Sequence, residues 1–357
     1  MQQPVSRLNP RVPGSSSAAP SLRPAVLPAR QSRTMSSTAD IPSSTDHALG
    51  EPQEPQPPAC VMSFNASDPT GAGGLAGDVA TIAAMGAHAL PVVTAIVLRD
   101  TAEVFDQQVL DSDTVVEQAR SILEDVTINA WKVGFLGSAE GVSAVAEVLS
   151  DYPDTPLVAY MPAISWLDEE QQQSYLDAFR ELVLPQTHVL VGNHKTLTDF
   201  LLPDWDADRP ASPRELAVAA AEHGTGHVLV TGINLPNQYV DNVLANAQGP
   251  ITGEKFERFE TSFVGAGDTL SASLAALLSV GAEVHDAVAE ALAFLDQSLD
   301  AGFRPGMGNV VPDRFFWALP PGEEGEPLPF AEAGTEAESD EAPAEPEPLA
   351  RPPRRMH

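Results

Sequence analysis

The chain has 357 residues, 43% hydrophobic and 19% charged, enough for a sizeable core in a protein of ordinary globular composition. Its longest apolar stretches, such as residues 87–98, are too short to span a bilayer, and the single cysteine, Cys60, excludes an internal disulfide framework or a cysteine-rich zinc site. Fifty acidic against 19 basic residues give a net charge of −31, which repels phosphate backbones, so neither nucleic acid nor a membrane is expected as a partner.

Composition divides the chain. Residues 1–59 hold 11 of the 33 prolines and no apolar periodicity, while residues 320–357 hold nine prolines and ten acidic residues. Neither segment has the aliphatic surface to offset the entropy of ordering, so both are expected to be disordered. Residues 60–319 carry −25 and fit one large α/β domain. The first 34 residues contain five arginines and no acid, the composition of a transit peptide, but prolines spaced through them would break a presequence helix. A plain extension, with the protein cytoplasmic, is the expectation.

In chain order, residues 60–65 predict a buried first strand ending in a glycine-rich turn, and 75–85 a helix with Leu75, Val79 and Ile82 on one face. Residues 89–98 predict a central strand buried on both sides. Helices are expected at 115–123, 139–149, 170–182, 214–223, 268–280 and 284–302. Strands are expected at 130–135, 157–161, 188–191 and 227–231. Such alternation implies a mostly parallel sheet covered on both faces. Trp131 and Trp166 are assigned to the core. His88, His188, His194, His223, His227 and His285 lack metal-ligand spacing.

Two segments can carry chemistry. The first is 67–74, Ser-Asp-Pro-Thr-Gly-Ala-Gly-Gly, whose glycines would let backbone approach a ligand at a helix start. It is neither a Walker A loop nor a dinucleotide fingerprint, and by itself it reads equally as a tight turn. The second is 264–269, Val-Gly-Ala-Gly-Asp-Thr, where small residues bare consecutive N–H groups and Asp268 could accept a proton from an attacking hydroxyl. An ordinary acidic helix start accounts for it as well.

Taken in order and about 200 residues apart, the two segments resemble the hydroxymethylpyrimidine and phosphomethylpyrimidine kinases of thiamine synthesis. Residues 65–78 are similar to that family's A-G-S-D-P-S-G-G-A-G-I-Q-A-D. Residues 93–97, 132–136, 269–274, 306–308 and 313–317 are similar to its further motifs. The resemblance implies a ribokinase-like three-layer α/β/α sandwich with a mostly parallel central sheet, and an enzyme using ATP and Mg²⁺. It implies Asp268 as base, Gly265, Ala266 and Gly267 as anion hole, and Ala66, Asp68, Gly73, Arg99 and Phe135 around the pyrimidine. Asn193, Thr231 and Gly232 would line the nucleotide site. It is consistent with a homodimer and assigns no metal ligands.

The chain departs from the family pattern at several points. Asp268 stands where pyrimidine kinases often have Cys, and Arg99 where the family has Gln. Tyr160-Met161-Pro162 replaces an Asp-Pro-Val-Met segment, and Thr196 replaces the Glu of an N-x-x-E motif. Ala66 and Ala72 occupy glycine positions, with Gly73 at an alanine one. Two rival readings follow: a pyridoxal-type vitamin kinase of the same fold, and a non-catalytic pyrimidine-binding descendant.

Overall fold

The computed structural model describes residues 57–236 and 238–318; both expected tails lie almost wholly outside the described residues. Among the described residues nine strands form one sheet: β1 (Cys60–Ser67), β2 (His88–Arg99), β3 (Val104–Val109), β4 (Ala130–Val133), β5 (Leu157–Met161), β6 (Val189–Asn193), β7 (His227–Asn234), β8 (Tyr239–Asn246) and β9 (Gly249–Glu257). Their order is β3-β2-β1-β4-β5-β6-β7-β8-β9. Pairings from β2 through β7 are parallel, while β3, β8 and β9 pair antiparallel at the two ends.

Among the described residues the helices are α1 (Gly74–Ala84), α2 (Ser112–Leu123), α3 (Ala139–Ser150), α4 (Glu169–Ala178), α5 (His194–Leu201), α6 (Pro213–Glu222), α7 (Ala266–Ser279) and α8 (Val284–Asp300). Strand side chains alternate between faces, so the sheet feeds two cores. Val61, Val158, Val191 and Leu229 pack with α1, α7 and α8, whereas Met62, Phe64, Ala159 and Val228 pack with α2 through α6. This is the expected three-layer α/β/α sandwich with a mostly parallel sheet. The chain leaves β1 for β2 on one side and then returns to β4 on the other. Ligand crevices in open α/β sheets form at such a switch point, beyond the carboxyl ends of the strands.

Several expectations change. The second half of β2 is not covered on both faces: Ile96 and Leu98 are exposed, because the antiparallel β3 continues the sheet beyond the helical layer. On α1 the buried face is Leu75, Asp78, Thr81 and Ile82, with Val79 turned outward. The helix expected at 170–182 is α4 followed by a single π turn over Phe179–Val183 and a 3-10 turn at Leu184–Gln186. β3, α5, β8 and β9 were not expected. β3 and β9 are largely exposed and β9 opens on Gly-Pro, so they carry little apolar periodicity; α5 buries Leu197, Phe200 and Leu201 on one face but spans only eight residues, too few for the pattern to stand out.

Candidate active site

At the carboxyl ends of β1, β2, β4 and β5, the chain encloses a cavity of about 250 Å³. Ala66, Asp68, Gly73, Arg99, Phe135, Gly265 and Asp268 all line it, so the substrate and base candidates converge. Gly265 opens α7 at φ +85°, a left-handed conformation that L side chains rarely adopt, and a Cβ there would run into the Ala72 carbonyl. The two glycine segments therefore touch backbone to backbone. The turn leaves the N–H groups of Gly265, Ala266, Gly267 and Asp268 without partners inside the helix.

Asp268 is held by three donors. Its Oδ1 accepts from Lys132 Nζ at 2.8 Å and from Asn65 Nδ2 at 2.8 Å, and its Oδ2 accepts from the Gly74 N–H at 3.0 Å. An added Cβ on Gly73 would lie 2.7 Å from the same Oδ2. Lys132 is fully buried and also reaches Asp78, itself fully buried, at 2.9 Å. Asp78 Oδ2 accepts further from Ser63 Oγ at 2.7 Å and Asn65 Nδ2 at 2.9 Å. Burial alone would push Asp268 up; the Lys132 ammonium and the donated hydrogen bonds outweigh it and hold the carboxyl below its ordinary value. Burial pushes Asp78 up despite Lys132. Lys132 is held above the ordinary lysine value, because the two carboxylates outweigh its burial.

Lys132, Asp78 and Asn65 were absent from the candidates read off the sequence. The signal was present: a lysine inside the wholly buried strand Ala130–Val133, and an aspartate at the apolar spacing Leu75–Asp78–Ile82. Fully buried charges are rare unless paired.

Arg99 faces the cavity. Its Nε donates to the Asp100 carbonyl at 2.9 Å and its Nη1 lies 3.5 Å from Asp68 Oδ2, rather than pairing outward with an acidic side chain. Asp68 is mainly a loop organiser, accepting from the Thr70 N–H and hydroxyl and from the Gly73 N–H. Trp166 is a wall of the cavity and not only core, set edge-on to Phe135 with centroids 5.5 Å apart. Tyr160 lies with its phenol directly against Gly267, where a Cβ would collide with it, and with its ring 5.8 Å from Lys132 Nζ. Ala266 and Gly267 consequently do not line the cavity, and the phenol covers one side of the expected anion hole.

The nucleotide candidates sit apart from this cavity, together at the ends of β6 and β7. Asn193 is in register with Thr231, its Oδ1 caps α5 through the Lys195 N–H, and its Nδ2 lies 3.3 Å from where a Gly232 Cβ would be. Thr231 donates to the Gly192 carbonyl and the Gly232 N–H donates to Asn242. Among the described residues no three His, Cys, Asp or Glu side chains are placed to hold a metal ion. A Mg²⁺ ion would be held by one or two carboxylates at most, together with the nucleotide phosphates, whose charge it would neutralise. No described helix is long and apolar enough to cross a membrane.

A family profile described as phosphomethylpyrimidine kinase matches residues 68–313. The hydroxymethylpyrimidine/phosphomethylpyrimidine kinase of Streptomyces coelicolor is 29% identical over 270 residues, 75% of this chain and 98% of the relative. That of Escherichia coli is 30% identical over 245 residues, 67% of this chain and 90% of the relative. The structure of Bacillus subtilis pyridoxal kinase in complex with ADP superposes with a TM-score of 0.67 at 21% identity, covering 74% of this chain and all of the other. That likeness bears on the fold. The switch-point cavity, the α7 start with Asp268 and the match across 68–313 make this chain a member of the phosphomethylpyrimidine kinase family.

Proposed function

We propose that the chain is a kinase that transfers the γ-phosphoryl group of ATP to 4-amino-5-hydroxymethyl-2-methylpyrimidine, to its monophosphate, or to both, in thiamine biosynthesis. The observation that carries this reading is Asp268: an ionised carboxylate at a cavity edge, on the first turn of a helix whose leading N–H groups are unpaired. In the proposed step on the alcohol, the hydroxyl oxygen attacks the γ-phosphorus while its proton passes to Asp268 Oδ2; on the monophosphate, an already deprotonated phosphate oxygen attacks and no proton need move. The bond from phosphorus to the bridging oxygen breaks and ADP leaves. Positioning and charge neutralisation do most of the work in such transfers. Gly265, Ala266 and Gly267 would donate to the moving phosphoryl oxygens, and Asn193, Thr231 and Gly232 would meet the nucleotide. Ala66, Asp68, Gly73, Arg99 and Phe135, with Trp166, would hold the ring.

A second reading, a pyrimidine binder without turnover, is favoured by one observation, the Tyr160 phenol lying on Gly267. One experiment separates the two: ADP release with Mg·ATP and the hydroxymethylpyrimidine, for wild type and Asp268→Asn, with pyridoxal alongside. The kinase reading expects turnover in wild type and a loss of about 10²–10⁴-fold in the variant. Calorimetric binding of the pyrimidine with no ADP release would support the binder. Faster turnover of pyridoxal would move the substrate.

A further inference from the structure

The buried cluster beneath Asp268 is larger than a base requires. Lys132 comes from β4, Asp78 from α1 and Asp268 from α7, and their side chains meet under the switch-point cavity. We propose that Lys132 and Asp78 are positioning residues for Asp268: the ammonium, gripped by Asp78, keeps Asp268 ionised and pins its Oδ1, so that Oδ2 is the oxygen turned to the substrate hydroxyl.

The geometry distinguishes the two oxygens. Oδ1 already accepts from Lys132 and Asn65, filling both its in-plane positions. Oδ2 has the Gly74 N–H as its single partner among the described residues and lies against Gly73 at the cavity edge. Asn65 is itself fixed, since its Oδ1 accepts from the Ala66 and Phe135 N–H groups at 2.9 and 3.0 Å. The carboxylate therefore cannot rotate without breaking the Lys132 ion pair and the hydrogen bond from the Asn65 amide together.

Charge arithmetic gives the proposal its sign. Lys132, Asp78 and Asp268 sum to −1 when all are ionised. Losing the ammonium leaves two carboxylates facing each other at −2, so one would take up a proton. Losing the Asp78 charge leaves a neutral pair, in which Asp268 is harder to protonate. The other groups facing Asp268 are the Tyr160 phenol from β5, the Arg314 guanidinium from the C-terminal segment, and Asp68 and Arg99 across the cavity. None of these is altered by the substitutions below.

The proposal rests on the kinase reading for its role, but the cluster can be read without turnover. The test uses the full chain as wild type, Lys132→Met, Asp78→Asn and the double variant, whose cluster keeps the wild-type charge of −1 should Lys132→Met fail to fold. Two measurements are made: the pH dependence of kcat, and the titration of the Asp268 carboxyl carbon by ¹³C NMR, assigned with Asp268→Asn. Lys132→Met and the double variant should raise the acidic limb and the Asp268 midpoint by about 1–3 units, the usual effect of a neighbouring opposite charge. Asp78→Asn should not raise either. Unchanged midpoints in the variants lacking Lys132, or a rise in Asp78→Asn, would overturn the proposal. Midpoints that shift as expected in a chain with no turnover would uphold the cluster and refute the kinase reading alone.

Discussion

At Gly73 the backbone is extended, at φ −137°, a conformation open to any residue, so the demand for glycine there comes from the neighbour and not from the chain. A methyl group would press on Asp268 Oδ2 at 2.7 Å. Gly73→Ala should therefore lower kcat/KM by about tenfold to a hundredfold, the scale of a displacement near 1 Å. Because the methyl also meets the buried Asp68 carboxylate and the Gly265 backbone, overpacking should cost about 1–3 kcal/mol, a fall in Tm of roughly 2–12 °C. A variant that keeps full activity would show that the carboxylate is not the group at work. The same residue shows what could be read beforehand. Gly73, Gly265 and Asp268 stand in short local patterns, which identify a ligand loop and a helix start from neighbours in sequence. Lys132, Asp78 and Asn65 act through partners 13 to 203 positions away, and such an encounter has no local pattern.

Elements built on apolar period were legible for the same reason. β1, β5, α3 and α8 carry continuous or helically spaced aliphatics and fall within two or three residues of their expected limits. The edge strands β3 and β9 did not, because they bury one face at most and their residues serve the sheet's ends. The last segment, past α8, is also better understood as a clamp than as a terminus. Arg314 is buried and donates to the Gly71 and Ala72 carbonyls and, at 3.0 Å, to Thr269 Oγ1, tying the glycine loop to the first turn of α7. Its planar fork serves three acceptors, which a single ammonium cannot reproduce. Arg314→Lys and Arg314→Met should both cost about 3 kcal/mol, a fall in Tm on the order of 6–12 °C by calorimetry. If lysine restores the wild-type midpoint, one contact suffices and the clamp is not what the geometry indicates.

For the whole molecule the governing quantity is charge: −25 over residues 60–319 opposes the approach of a phosphorylated substrate, and a neutral alcohol feels none of it. Among the described residues lining the cavity Arg99 is the one cation, and its contact with Asp68 is long because that carboxylate is already engaged by Thr70 and Gly73. Its remaining N–H groups are therefore available to a phosphate. Two effects of different range result. The diffuse repulsion is screened as ionic strength rises from about 10 to about 150 mM, where the Debye length falls from ~30 to ~8 Å. The Arg99 contact is short-ranged and largely survives, worth roughly 1.5–3 kcal/mol to a phosphate oxygen. At saturating ATP, added salt should thus lower KM for the phosphorylated pyrimidine a few-fold and leave KM for the free alcohol unchanged. Arg99→Gln should raise KM for the phosphorylated form by about tenfold to a hundredfold at every salt concentration, with the alcohol little affected. Equal salt slopes for the two substrates would refute the repulsion argument, and equal KM ratios in wild type and Arg99→Gln would show that the guanidinium serves only the Asp68 loop.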